Sequence, residues 1–275
     1  AGRYNSATNS IAVGHNAGMS TQGEHSVGVG VGAGQTSQGG SSVAVGQDAG
    51  RFNQGISSVA IGADAAESNQ GGYAVAVGRL AGVVNQSSVA VAVGYVAGCN
   101  NQGDNTVAVG VNAGRFNQGV NAVALGNAAG YNAQGSQSVA AGYNAGETSQ
   151  GASGTAIGHY AARYNQGAYS TAVGYSAAYQ NQGTAAVGVG NQAGKLNQGV
   201  GAVAVGEAAG QNNQGNYAIA LGTVAGQNAQ PANTFRVRHS SVRDTTGNEY
   251  LHITNDGEIV RGQGYSDDRL KYDEK

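Results

Sequence analysis

The sequence predicts an all-β chain, a parallel β-solenoid (β-roll) of fourteen 16-residue coils over residues 1–230, followed by a short β-hairpin segment. Three observations predict the solenoid. Glycine recurs every sixteen residues from Gly14 to Gly222, with no insertion or deletion. Each of these glycines ends a V-A-V-type triplet, and a short β-branched run next to Gly reads as a strand. Every one is followed three residues later by Ala (Ala17 to Ala225) and eight residues later by Gln (Gln22 to Gln230). Helical-repeat solenoids need units of about 33–47 residues, so this period is too short for them.

Take the coil 43–58, VAVGQDAGRFNQGISS. Its glycines punctuate turns, where φ is positive or backbones come close. One period is then two short strands and two tight turns. Coils stack about 4.8 Å apart, so fourteen make a rod of roughly 65–70 Å. Equal coils suit a shaft, because an active-site scaffold would carry loop insertions on one face.

Side chains alternate across a strand, so Val43 and Val45 share one face and Ala44 takes the other. Both faces are apolar in nearly every repeat. A strand apolar on both sides is normally covered on both sides. A 16-residue coil has room for one thin interior, so the second face calls for another copy of the chain. The small middle residues (Gly28, Ala44, Ala60, Gly188) are expected where chains approach. The alternative is a monomer with an Ala-rich exposed face.

The repeated glutamines are Gln22, Gln38, Gln54, Gln70, Gln86, Gln102, Gln118, Gln134, Gln150, Gln166, Gln182, Gln198, Gln214 and Gln230. Stacked in register, identical amides can bond up the stack, since each both donates and accepts. They can equally satisfy turn backbone. Glu, Ser and Lys never replace them, so they are read as a structural ladder, buried or at the seam between chains.

The positions after the first Gly and before Asn-Gln vary, and are read as outward-facing turns. Tyr131, Tyr143, Tyr160, Tyr164, Tyr175 and Tyr179 concentrate there. They are a candidate receptor surface, glycans included, because exposed rings stack well and Tyr adds a hydroxyl. The plainer reading is ordinary solvent-facing turns.

Composition excludes other classes. Of 275 residues, 49 are Gly, yet there is one Pro and no three-residue period, which excludes collagen. The net charge of −2 gives no electrostatic case for nucleic acid or an anionic membrane surface. No apolar run approaches the roughly 18 residues of a membrane helix. Cys99 is alone, so no intrachain disulfide forms. GVGVGAG (28–34) imitates a phosphate loop but is simply the second repeat. Five scattered His give no metal spacing, and no cofactor is implied. The opening AGRYNSA reads as the second half of a repeat, so the chain is expected to begin further upstream.

The pattern is expected to stop at Pro231. Residues 1–230 hold 6 basic and 7 acidic residues, and the last 45 hold 7 and 8. Residues 231–265 are read as a hairpin or junction segment. Its strands are TFRVRHSSV (234–242) and NEYLHITNDGEIV (248–260), with a turn at Asn255-Asp256-Gly257. Residues 266–275 read as the start of a truncated chaperone-like region.

The AVG-x-x-A-G repeats over 8–230 resemble the head repeats of trimeric autotransporter adhesins, which implies a trimeric β-roll. The segment 232–271 resembles the junction before the intramolecular chaperone of phage tail fibres and tailspikes. The residues that carry this are Asn233-Thr234-Phe235, Tyr250-Leu251 with Gly257-Glu258-Ile259, and Ser266-Asp267-Asp268-Arg269-Leu270-Lys271. That resemblance implies a self-cleaving dyad, Ser266 as nucleophile and Lys271 as base. Nine residues follow Ser266, so any such dyad is vestigial or truncated. Such a base needs a pKa depressed by burial.

Together these features lead us to expect a non-enzymatic structural protein. It would be the distal shaft of a homotrimeric viral, phage-type tail fibre on the virion surface, presenting a host-attachment face. The alternative is the head of a bacterial trimeric autotransporter-type adhesin.

Overall fold

The computed structural model describes residues 4–237, 249–253 and 259–263. Ala1–Val237 form one compact unit and Arg238–Lys275 another. The first is a parallel β-solenoid. Strands are numbered in chain order, and each coil contributes two of three residues. In the coil considered above these are β6 (Val43–Val45) and β7 (Phe52–Gln54), followed by β8 (Val59–Ile61) and β9 (Ser68–Gln70). The V-A-V strands stack into a 15-stranded sheet, the valine sheet, and the x-N-Q strands into a 14-stranded one, the amide sheet.

Register is like on like. Val43, Ala44 and Val45 face Val59, Ala60 and Ile61, and Gln54 faces Gln70. Backbone hydrogen bonds run along the rod in both directions. Val43 N donates forward to Ser58 O at 2.9 Å, and Gly46 N donates back to Val29 O at 2.8 Å. The turns are bonded likewise: Asp48 N donates back to Val31 O at 2.8 Å and Gly50 N forward to Ala65 O at 2.9 Å. Turn backbone therefore joins the ladder instead of depending on water.

A coil this small leaves a narrow interior. Ala44 and Ala49 are fully buried, as is Ser58, and Gln54 joins them. Among the described residues the buried apolar side chains are all alanine except Val83 and Val96. Ser58 Oγ donates to Gly55 O at 2.7 Å, closing the corner.

This reverses the expected placement of the middle residue. Ala108 is 0% exposed within a single chain, while Val109 beside it is 38% exposed. Ala and Gly at the middle of the triplet line the chain's own interior. They cannot be where chains approach. The outward face is aliphatic apart from Thr155 and Thr171, from Ile11 and Val13 through Val205 and on to Ile219 and Leu221. Two facing sheets closed by short turns leave space for methyl groups, so the larger Val is turned out.

Two backbone demands explain the glycine positions. Gly46 has φ of 132°, and a Cβ built on it would lie 2.5 Å from Gly62 O of the next coil. Backbone angle and stacking distance both exclude a side chain there. Gly50 has φ of 53°. There Ala is admitted, and Ala66, Ala162 and Ala178 occupy the same place with φ of 44–48°. Asn53 is also left-handed, with φ of 55°, a region that Asn tolerates better than most residues.

The pattern does not stop at Pro231, as the change of composition suggested. β29 (Phe235–Val237) pairs in register with β28 (Ile219–Leu221), adding a fifteenth strand to the valine sheet. Thr234 Oγ1 donates to Pro231 O at 2.7 Å, as Ser58 does to Gly55 in its coil. Arg236 stands opposite Ala220, where Ala would otherwise fill the interior.

In the second unit, β30 (Glu249–Ile253) and β31 (Ile259–Gln263) pair antiparallel. The expected turn at Asn255-Asp256-Gly257 and all of 238–248, including the end of the expected strand 234–242, lie outside the described residues.

Candidate functional site: amide spine, aliphatic stripe and aromatic rows

The glutamines lie inside the coil and bond chiefly to backbone. Gln54 Nε2 donates to Val43 O at 2.8 Å, from the amide sheet to the valine sheet. The same bond recurs from Gln22 to Ile11 O and in every coil to Gln230 and Ile219 O. Gln70 adds a bond to Ala74 O at 3.3 Å, and Gln86 one to Ala90 O at 3.2 Å. A Gln-to-Gln ladder is present only in stretches, as at Gln70–Gln86 (3.1 Å) and through Gln182, Gln198 and Gln214 to Gln230 (3.2–3.3 Å). The glutamines therefore cross-link the two sheets first and stack second.

A second amide ladder was not foreseen. Asn53, Asn69, Asn85, Asn101 and Asn117 are exposed, and each Nδ2 donates to the next Oδ1 at 3.0–3.1 Å. Asn165 to Asn213 repeat it. The left-handed backbone turns these side chains outward in a row, a signal hidden in the dipeptide Asn-Gln.

The tyrosines fall into two groups. In the first, Arg115 Nη1 donates to the Tyr131 hydroxyl at 3.0 Å. Its guanidinium lies 4.8 Å from the Phe116 ring centre and 5.6 Å from that of Tyr131. The second group centres on Arg163. Its guanidinium lies 4.8 Å from the rings of both Tyr160 and Tyr164. It donates to the Tyr179 hydroxyl at 3.2 Å and pairs with Glu147. Burial opposes that charge, but the bonds to Glu147 and Tyr179 outweigh it and hold the guanidinium above its usual range. Burial pushes the Tyr164 phenol up, Glu147 adds to this, and Arg163 offsets part of it.

Tyr143, His159 and Tyr175 form a row beside this group. Ring centres are 5.1 Å apart from Tyr143 to His159 and 5.3 Å from His159 to Tyr175. Tyr160 stacks on His159 at 4.0 Å. Five of the six expected tyrosines thus share one patch, and Tyr131 belongs to the other. His159, Arg163 and Glu147 were not anticipated. Their sixteen-residue offsets from Tyr143, Tyr179 and Tyr131 were the available signal. Ser266 and Lys271 lie outside the described residues.

No family model, curated protein or solved structure matches this chain.

Proposed function

We propose that the chain is the shaft of an elongated homotrimeric fibre, of the viral tail-fibre type, that presents an attachment surface to a host cell. The observation that carries this is the aliphatic stripe on the outer face of the valine sheet. From Ile11 to Leu221 it crosses fourteen strands without a charged residue, which at about 4.8 Å per strand makes it roughly 62 Å long. Monomers rarely expose contiguous apolar patches above a few hundred Å². A second and third copy would cover it, and identical coils keep the copies in step along its length. The role is structural, supported by the described coils, which are regular and of equal length from Ile11 to Leu221. Extracellular, virion-surface placement follows from the attachment role.

Sedimentation equilibrium of the full chain tests this. A mass three times 27.1 kDa is expected, and a stable monomer defeats the reading. The AVG-x-x-A-G repeat also favours a second reading, the head of a bacterial trimeric autotransporter-type adhesin. A heptad stalk and membrane barrel encoded downstream would decide for that. Under the fibre reading Ser266 and Lys271 are the remnant of a self-cleaving junction, tested by intact-mass comparison with Ser266→Ala.

A further inference from the structure

The row Asn127, Tyr143, His159, Tyr175, Asn191 occupies one position in five successive coils, and all five side chains are exposed. We propose that this row binds a neutral, linear, extended glycan lying along the rod axis, with about one sugar ring per coil. The proposal deepens the attachment reading and rests on it. It does not rest on the trimer, since one chain supplies the whole row.

Four features point to this ligand. The first is period. Three ring systems follow one another at 5.1 and 5.3 Å, close to the length of one sugar in an extended chain. The second is the chemistry of the row. Aromatic rings pack against the C–H faces of sugars while phenol and imidazole reach hydroxyls. The amides of Asn127 and Asn191, at either end, both donate and accept.

The third is preorganisation. Tyr160 N donates to Tyr143 O at 2.9 Å, Ser176 N to His159 O at 2.9 Å and Gln192 N to Tyr175 O at 2.8 Å. Tyr160 stacks on one face of the His159 ring at 4.0 Å, leaving the other face to a ligand, and meets Tyr143 edge-on at 5.6 Å. Arg163 and Glu147 hold Tyr160 and Tyr179 in turn. A rigid row loses little side-chain entropy on binding.

The fourth is charge and shape. The Arg163 charge is already matched by Glu147, which removes it as a partner for an anionic polymer. The row is one residue wide and about 19 Å long, well short of the roughly 800 Å² per partner of a standard protein interface.

The test is isothermal titration of the full chain with hexaoses of β-1,4-linked glucose, N-acetylglucosamine and mannose. Binding of at least one is expected, with affinity rising with oligomer length up to about five rings. Tyr143→Ala combined with Tyr175→Ala should weaken it at least tenfold, with melting temperature and oligomer mass unchanged. Tyr73→Ala, in the other turn, should bind as the parent does. The proposal is overturned if no hexaose binds, if the double variant binds like the parent, or if only heparin or a proline-rich peptide binds. A monomer that binds a hexaose defeats the trimer alone, and a trimer that binds none defeats this site alone.

Discussion

Gln118 Nε2 donates to the carbonyl oxygen of Val107 at 3.0 Å, joining the amide sheet to the valine sheet through the interior of one coil. It also reaches Ala122 O at 3.2 Å. Gln118→Leu keeps most of the volume and removes both amide bonds. Ala122 O keeps its backbone donor, Val107 N at 3.0 Å, while Val107 O loses the amide that ties it to the opposite sheet. A buried polar group left without its partner costs about 1–3 kcal/mol. Chemical denaturation should show that loss. Asn117→Gly, one residue away on the exposed ladder, removes the ladder amide and keeps the left-handed backbone at φ of 54° unstrained, so it should stay within about 0.5 kcal/mol of the parent. Equal effects would contradict the cross-link.

The two glycine positions should separate sharply. A Cβ on Gly110 would stand 2.5 Å from Gly126 O, at φ of 133°. Gly110→Ala should therefore cost several times more than Gly114→Ala. The Gly114 position needs φ near 52°, a left-handed strain of about 1–2 kcal/mol, and Ala already fills its equivalent at three coils. Comparison of denaturation midpoints would decide, and matching midpoints would reject the stacking argument.

Charges placed on the outer valine rows should leave the coil folded and block association. Val91→Glu with Val107→Glu is expected to keep the β circular-dichroism signal and shift the sedimentation mass to that of one chain. A variant that stays associated would move the interface to another face.

Cys99 tests the local electrostatics. Burial pushes its thiol up from the ordinary value, and Arg115 offsets part of this. The thiolate is thus harder to form in the fold than in the unfolded chain. The protonated thiol's contribution to stability is complete below the unfolded thiol pKa, and is lost as pH rises through the folded one. At pH 8 Cys99 should react with a disulfide reagent more slowly than free cysteine, and Arg115→Ala should slow it further. A rate at or above that of free cysteine would reject the assignment.

Much of the coil was legible because its period is unbroken. Gly46, Ala49 and Gln54 recur at one spacing, and register alone puts like over like. The side of the strand was misjudged for a physical reason. Hydrophobicity ranks Val above Ala for burial, but the interior is too thin for Val, so size decided against Val45 and for Ala44. The half-coil after Pro231 was hidden because Arg236 replaces the small residue that marks a coil, while Thr234 and Gln230 keep their bonds. The exposed Asn ladder required knowing that Asn53 is left-handed. Rows such as Tyr143–His159–Tyr175 were present as sixteen-residue offsets, and needed coordinates to show that their rings meet.

The backbone bonds between coils lie along the long axis, and each coil touches only its neighbours in the stack. A pull on the two ends would therefore load those bonds along their length and strip coils one at a time. Each released coil of sixteen residues would add about 50 Å of slack, taking about 3.4 Å per extended residue less the 4.8 Å it spanned. Held between two fixed points, such a rod would act as a mechanical fuse, yielding in equal steps as its coils release one after another.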